Sequence, residues 1–216
     1  VQGQVNARTL VEMVHQGDLL DDPVFQGADG QSLPLRDRVV YYGISLGGIE
    51  GAVLMAQEPP IDAAVLHVGG ASWSTMLERS SNWTLFEELM VDAVPDPWDR
   101  QLLYAVSQLF WDPVDPLLYA GDLAGPVLLQ EALGDDQVPN LTTRALARSA
   151  GLPVLEPTVQ APWGIQAVAG PLPAGSSALV QFDPQRGEPA DTNRPAVVTE
   201  AHSAPGRWLG TQAQTP

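Results

Sequence analysis

Residues Val39 to Met55 read Val-Val-Tyr-Tyr-Gly-Ile-Ser-Leu-Gly-Gly-Ile-Glu-Gly-Ala-Val-Leu-Met, and they decide the fold. The β-branched and aromatic run that ends at Gly43 is typical of a strand. The apolar spacing that follows Ser45 predicts a helix from Leu46 to about Gln57, where Pro59 and Pro60 end it. The stretch therefore predicts a strand, a sharp turn that holds a serine, and a helix.

The turn has the small residues that such a geometry needs, because Gly43 and Gly47 lie two positions to either side of Ser45. They let strand and helix approach closely, while the helix N-terminus directs its free amides at any anion formed on the serine. Gly-x-Ser-x-Gly alone is a weak signal, and a glycine-rich turn without catalysis is the alternative. With its flanking strand and helix, the pattern resembles the nucleophile elbow of the α/β-hydrolases.

Composition limits the class of protein. The 216 residues are enough for one domain with a core, and 44% of them are hydrophobic. Twenty-six acidic residues against 10 basic ones give a net charge of -16, which argues against a nucleic-acid partner. Without cysteine there is no disulfide framework and no thiolate metal site. No apolar run reaches the roughly eighteen residues of a membrane span, and we predict no cofactor.

Helical and strand patterns alternate along the rest of the chain. We predict an opening helix over Val5 to His15, strands over Ala63 to Val68, Gly125 to Ala132 and Ala178 to Phe182, and a helix over Leu141 to Ala150 with Asn140 as its N-cap. This alternation predicts an α/β fold with a parallel sheet of about four core strands. Nothing marks a second domain, so residues 1–216 are expected to form one.

The segment from Ser72 to Tyr119 has a different pattern. Apolar residues recur there at helical spacing, and aromatic residues are concentrated in it. We expect a helical insertion over residues 72–119. A helical stripe of aromatic residues usually packs in the hydrophobic core. The functional alternative is a lid or substrate wall over the serine.

A serine hydroxyl needs a base and an orienting carboxylate to become a nucleophile. The chain has three histidines: His15 in the opening helix, His67 inside an apolar strand, and His202 in a loop after the last strand. In α/β-hydrolases the chain order is nucleophile, acid, histidine, and only His202 satisfies it. An exposed loop histidine without a catalytic role is the alternative interpretation.

The acid is expected in the turn Gly134-Asp135-Asp136-Gln137-Val138-Pro139, which follows a strand and precedes a helix. This turn looks like the acid turn of many α/β-hydrolases, in which an Asp lies three residues before a Val-Pro pair. That alignment selects Asp135 as the catalytic acid. Asp136 is the second candidate. Whichever of the two is not the catalytic acid is expected to be an ordinary solvated carboxylate of the turn.

The elbow, the acid turn and three further motifs, Gly69-Gly70, Arg79-Ser80 and Trp111-Asp112-Pro113, together resemble a little-characterised group of bacterial, often exported, α/β-hydrolases. The resemblance extends to His202. It implies a serine esterase of the esterase/lipase kind with the triad Ser45, Asp135 and His202, a small-molecule or lipid-like ester substrate, and a secreted or periplasmic location. The amide of Leu46 is the one oxyanion donor that can be named.

The family places four strands before the elbow, and the loop after the third supplies a second oxyanion donor. We recognise neither here, so we expect this chain to be the C-terminal part of the fold, with a missing N-terminal segment as its partner. Unpaired backbone groups would otherwise line the elbow strand.

Three other functions stay open at this point. A non-catalytic binding protein of the same shape is one, and a hydrolase of peptides, amides or polyesters is another. Calcium binding by Asp21-Asp22 or Asp135-Asp136 is the weakest, because neither pair has a recognisable loop spacing.

Overall fold

A computed structural model describes residues 1–17, 19–31, 38–57 and 61–183. Its centre is a six-stranded parallel sheet with the order β1-β2-β3-β6-β4-β5. The strands are β1 (Val40–Ile44), β2 (Ala63–His67), β3 (Val127–Ala132), β4 (Val154–Leu155), β5 (Ala167–Val168) and β6 (Ala178–Phe182). The helices are α1 (Gln2–Gln16), α2 (Leu46–Gln57), α3 (Trp73–Leu77), α4 (Thr84–Ala93), α5 (Pro97–Trp111), α6 (Pro116–Tyr119) and α7 (Asn140–Ser149). The predicted α/β fold with a parallel sheet is confirmed.

The core lies between the sheet and α2. Leu66, Leu129 and Leu179 occupy neighbouring positions on β2, β3 and β6, and all three are fully buried. They pack in one apolar cluster with Leu54 and Met55 of α2. Burying each such side chain stabilises the fold by about 1.5–3 kcal/mol, so this row fixes which face of the sheet α2 covers.

The register of the strands places their carboxyl ends at one edge of the sheet. Ile44, His67, Gln130 and Val180 lie side by side on β1, β2, β3 and β6. The turns that follow these strands therefore meet at the same edge, which is where open α/β sheets place their ligand sites.

The segment between β2 and β3 is helical, as its apolar spacing predicts, and contains α3 to α6. Aromatic pairs hold these helices together. The Trp73 and Trp111 rings lie 5.6 Å apart, Trp83 stacks on Phe86 at 5.1 Å, and the Trp83 indole N–H donates to the Tyr104 hydroxyl at 3.1 Å. These contacts make a wall of aromatic side chains beside the sheet.

Three predictions need correction. The sheet has six strands rather than about four, because β4 and β5 are two residues long and give no periodic signal. The opening helix starts at Gln2 rather than Val5. Asn140 is the first residue of α7 and not its N-cap, which is Pro139. Its side chain instead accepts from Gly134 N–H at 2.8 Å and donates to Ala132 C=O at 2.6 Å, so it closes the turn after β3.

Candidate active site

Ser45 lies between the last residue of β1 and the first residue of α2, with a backbone φ of 56°. A non-glycine residue in the left-handed region is strained, and such strain is concentrated at functional sites. Two hydrogen bonds hold the residue there: its N–H donates to the His67 carbonyl at 3.0 Å, and its carbonyl accepts from the Ile49 N–H at 3.0 Å. The serine is partly exposed, so the sharp strand-to-helix turn that the sequence predicts is present.

Close backbone approach explains Gly43 and Gly48, whereas a Cβ on Gly47 would meet only the Tyr41 hydroxyl, at 3.6 Å. A Cβ on Gly43 would lie 2.2 Å from the Gly47 carbonyl oxygen, and one on Gly48 would lie 2.8 Å from the His67 carbonyl oxygen. No real side chain fits at these distances. Tyr41 adds a further restraint because its hydroxyl donates to the Gly47 carbonyl at 2.7 Å. Burial, and secondarily the Glu50 carboxylate, raise the pKa of this phenol and keep it a donor.

Leu46, the predicted oxyanion donor, is the first residue of the twelve-residue helix α2. Its N–H belongs to the helical turn whose amides have no intrahelical acceptor, and the helix dipole is positive at that end. The Leu46 side chain is 53% exposed, so the start of the helix is open to an approaching molecule. The structure thus places an amide of the right kind directly after the serine.

The two candidate acids lie in the turn between β3 and α7, and both are buried. Asp135 is 3% exposed, and its Oδ1 accepts from the N–H groups of Gln137 at 2.9 Å and Val138 at 3.0 Å. Asp136 is fully buried, and its backbone carbonyl accepts from the Ser81 N–H at 2.8 Å. The two hydrogen bonds on Asp135 fix the orientation of its carboxylate within the turn, which is the property expected of an orienting acid.

One cavity of about 300 Å³ joins the elbow to the acid turn. Its wall is mostly apolar and includes Ser45, Trp73, Met76, Trp83, Phe86 and Val138. Val138, whose N–H is held by Asp135, packs on Ile49, one turn of helix after the serine. Residues of the elbow, the helical segment and the acid turn therefore surround one apolar space.

The predicted base, His202, lies outside the described residues. The other two histidines lie where the sequence places them: His15 is in α1, and His67 is in β2, 4% exposed, with Nδ1 2.7 Å from the Gln130 side-chain oxygen. The structure thus brings Ser45, Leu46 and the turn with Asp135 and Asp136 to one edge of the sheet.

Sequence reasoning missed Asp115, which is fully buried at the end of the helical segment. Its Oδ1 accepts from the N–H groups of Ser72 at 2.8 Å and Leu117 at 2.9 Å, and its Oδ2 accepts from the Trp73 N–H at 2.8 Å and the Gln108 amide at 2.7 Å. These bonds hold the backbone of the cavity-lining Trp73. The Asp-Pro pair at 115–116, a capping signal for α6, was the available clue.

The described residues contain neither a cluster of metal ligands nor a helix suited to span a membrane. Among residues 1–17, 19–31, 38–57 and 61–183, no group of three or more His, Asp or Glu side chains is arranged to hold a metal ion. In the same part of the chain, no helix combines the length and apolar character needed to cross a bilayer.

Comparison with known proteins gives one family. The model of the prolyl oligopeptidase family, Peptidase_S9, matches residues 30–150, which is more than half of the chain. A search of curated proteins finds no match to this sequence.

Several solved structures are similar to parts of this chain. A puromycin-hydrolysing peptidase of Mycobacterium tuberculosis is 19% identical, with 83% of this chain and 22% of that chain covered and a TM-score of 0.43. Acylaminoacyl peptidase of Pyrococcus horikoshii is 15% identical, with 83% and 25% covered and a TM-score of 0.42. Acetyl xylan esterase 1 of a Thermoanaerobacterium species is 18% identical, with 70% and 42% covered and a TM-score of 0.45. The chain thus spans less than half the length of each of these proteins.

Proposed function

Because the chain belongs to the prolyl oligopeptidase family and so to the α/β-hydrolase superfamily, we propose that it is a serine hydrolase that cleaves carboxylic esters. One observation carries the proposal: Ser45 is held at φ 56° between β1 and α2, on the wall of an apolar cavity. That conformation presents a serine hydroxyl beside the N-terminus of a helix, where a developing oxyanion is stabilised.

We propose a mechanism that uses the triad Ser45, His202 and Asp135. Ser45 Oγ attacks the ester carbonyl while His202 takes its proton, and Asp135 orients the imidazole. The Leu46 N–H donates to the oxyanion, and His202 returns the proton to the departing alcohol. Water then attacks the acyl-serine ester while His202 takes a proton from the water, and His202 returns that proton to Ser45 Oγ as the acid leaves.

The topology supports this assignment. Strands β1 and β3 are separated only by β2, so Ser45 and the acid turn follow strands about 10 Å apart. Strand β6, the last described strand before His202 in the sequence, lies next to β3 on the side away from β2. We propose that His202 is supplied from that side. Asp136 is the second candidate for the acid.

The cavity indicates which acyl groups fit. Three aromatic side chains and a methionine line it together with aliphatic ones, and its volume of about 300 Å³ is twice the roughly 150 Å³ of a cavity that accepts benzene. We therefore infer a preference for bulky or aromatic acyl groups over acetyl. In this proposal the helices of residues 72–119 act as a lid-like insertion that supplies the wall.

The edge of the sheet supports the proposal of a further partner segment. Val40, Tyr42 and Ile44 of β1 are 61%, 58% and 49% exposed, and no strand among the described residues pairs with β1 on its outer side. An open apolar edge is normally covered. We propose that an additional, N-terminal segment of the same protein adds strands there and supplies a second oxyanion donor.

A second candidate function is hydrolysis of peptides or amides. The description of the matching family, prolyl oligopeptidase, favours it. Turnover of an ester and of an anilide that carry the same benzoyl group separates the two functions. Both substrates place the same acyl group in the cavity, and they differ only in the leaving group, which is poorer in the anilide. A clear turnover of the anilide comparable with that of the ester would favour the peptidase.

The test of the proposal is hydrolysis of p-nitrophenyl esters of graded acyl length by the intact protein, with its proposed N-terminal segment. We expect Ser45→Ala to abolish turnover and Ser176→Ala, a matched change at an exposed loop serine, to leave it unchanged. Asp135→Ala and His202→Ala should each lower kcat by orders of magnitude. Unchanged turnover in Ser45→Ala would contradict the proposal, and a protein without any turnover would favour the non-catalytic binding function.

A further inference from the structure

Helix α5 exposes an apolar stripe that no described part of the chain covers. We use the term α5 stripe for six side chains: Trp98, Leu102, Leu103, Val106, Leu109 and Phe110, which are 82%, 64%, 43%, 46%, 71% and 81% exposed. From Trp98 the stripe continues at Leu102 and Val106, each four residues further on, and reaches Leu109 and Phe110 after three and four more. Residues at this spacing lie on one side of a helix. A surface helix normally directs this side at the core, and α5 directs it outward.

The opposite side of α5 already has its partners. Tyr104 is 8% exposed and accepts from the Trp83 indole, Gln108 donates to Asp115, and the Trp111 ring contacts Trp73. The α5 stripe is therefore a second apolar surface on a helix whose inner side is already packed.

The area of the stripe is that of an interface. Exposed aromatic side chains present about 150–250 Å² each, so two of them with four aliphatic neighbours present on the order of 700 Å². The largest patch on a typical monomer is about 300–600 Å². A stable interface needs about 800 Å² per partner, so this stripe alone comes close to one side of such an interface.

We propose that the α5 stripe pairs with the same stripe of a second copy of this chain, the two helices running antiparallel about a two-fold axis. The order of residues favours this partner because four residues of the α5 stripe pair about its middle. In an antiparallel pair centred at position 104, Trp98 of one copy lies opposite Phe110 of the other and Leu102 lies opposite Val106. In the same register Leu109 lies opposite Asp99. A two-fold interface requires such self-complementarity.

The charges near the stripe oppose an anionic surface as the occupant. Asp96 and Asp99 lie at the start of α5, Asp112 follows its end, and the whole chain carries a net charge of -16. Repulsion between two such copies is screened by salt. The proposal therefore predicts a dimer that becomes tighter as ionic strength rises, which is the reverse of what a salt-bridged interface shows.

Pairing would also hold the cavity wall in place. Tyr104 on the inner side of α5 accepts a hydrogen bond from Trp83, which lines the cavity beside Ser45. A fixed α5 thus limits the movement of that wall.

The experiment measures the mass of the purified protein by light scattering and sedimentation over a range of micromolar concentrations and salt. We expect twice the mass of one copy of the protein. We expect Leu102→Glu and Leu109→Glu each to weaken the dimer at least tenfold, about 1.4 kcal/mol, with an unchanged circular dichroism spectrum. Leu141→Glu, at a 50% exposed leucine of α7, is the matched control and should leave the dimer intact.

Four outcomes would overturn the proposal. The first is a monomer at every protein and salt concentration, and the second is a dimer that neither α5 variant weakens. The third is a dimer that Tyr42→Glu abolishes and the α5 variants keep. The fourth is a monomeric protein that binds neutral phosphatidylcholine vesicles and loses this binding in the α5 variants. The third would assign the interface to the edge of β1, and the fourth would assign the stripe to a lipid surface. If Leu109→Glu alone unfolds, Leu109→Ala is measured in its place with the same expected direction.

Discussion

Replacing Asp115 by Asn should destabilise the protein far more than its conservative shape suggests. The carboxylate accepts four hydrogen bonds, two on each oxygen, and every partner is an N–H donor. An Asn side chain has one oxygen and one NH₂ group. Whichever way the amide is turned, its NH₂ faces two N–H donors, so two hydrogen bonds are lost and replaced by repulsive contacts.

The magnitude follows from those counts. A hydrogen bond to a charged acceptor contributes about 1.5–3 kcal/mol, and a donor left without an acceptor adds a desolvation cost. Some relaxation of the backbone will recover part of the loss. We therefore expect Asp115→Asn to lower the free energy of unfolding by about 3–4 kcal/mol, a large share of the roughly 5–15 kcal/mol of a typical domain.

Urea unfolding followed by circular dichroism measures this difference. The midpoint should fall while the m-value stays constant, because the same surface is exposed on unfolding. Asp112→Asn is the matched control in the same segment: its carboxylate is partly exposed and accepts from Gln108 at 3.0 Å, so we expect a change within about 0.5 kcal/mol. A loss below about 1 kcal/mol in Asp115→Asn would refute the reasoning.

The remaining predictions concern the elbow and the buried acid of β3. Gly43→Ala should lower the free energy of unfolding by about 3 kcal/mol or more, because its methyl would lie 2.2 Å from a backbone oxygen. Gly121→Ala is the control and should change it little, since a Cβ there has nothing within 4 Å. Equal urea midpoints for the two variants would contradict this. Tyr41→Phe removes one hydrogen bond to the elbow and should lower stability by about 1 kcal/mol, and a Tm equal to that of the unmutated protein would contradict it. Burial is the main cause that raises the pKa of Glu131, against the opposing effect of Arg144. The stability of the protein relative to Glu131→Gln should therefore be highest below the unfolded pKa and should decline as pH rises through the raised folded pKa; Tm values of both proteins from acid to mildly alkaline pH test this, and a difference that grows with pH would contradict it.

Patterns of neighbouring residues predicted the helices and strands that are long enough to show a regular spacing of apolar residues. The elbow was recognisable in part because backbone contacts between β1, α2 and the end of β2 require Gly43 and Gly48. Gly47 belongs to the motif, although a Cβ there would have room. Strands β2, β3 and β6 were recognisable because a parallel strand buried on both faces is a continuous apolar run. The position of Asp135 in a turn after β3 followed from the same alternation of elements.

The features that were missed depend on long-range contacts. Strands β4 and β5 are two residues long and exist only because β6 and then β4 pair with them. Asn140 has the residue type of an N-cap, but its amide finds better partners in the turn at 132–134. Asp115 gathers donors 42 and 43 residues away along the chain, a juxtaposition that no local pattern encodes.

Covalent labelling by a fluorophosphonate probe, followed by peptide mapping, tests the central claim most directly. The account predicts one phosphonylated peptide, which contains Ser45, and no label in Ser45→Ala. A label on a different serine, or a protein that the probe does not modify while a known serine hydrolase in the same tube is modified, would contradict it.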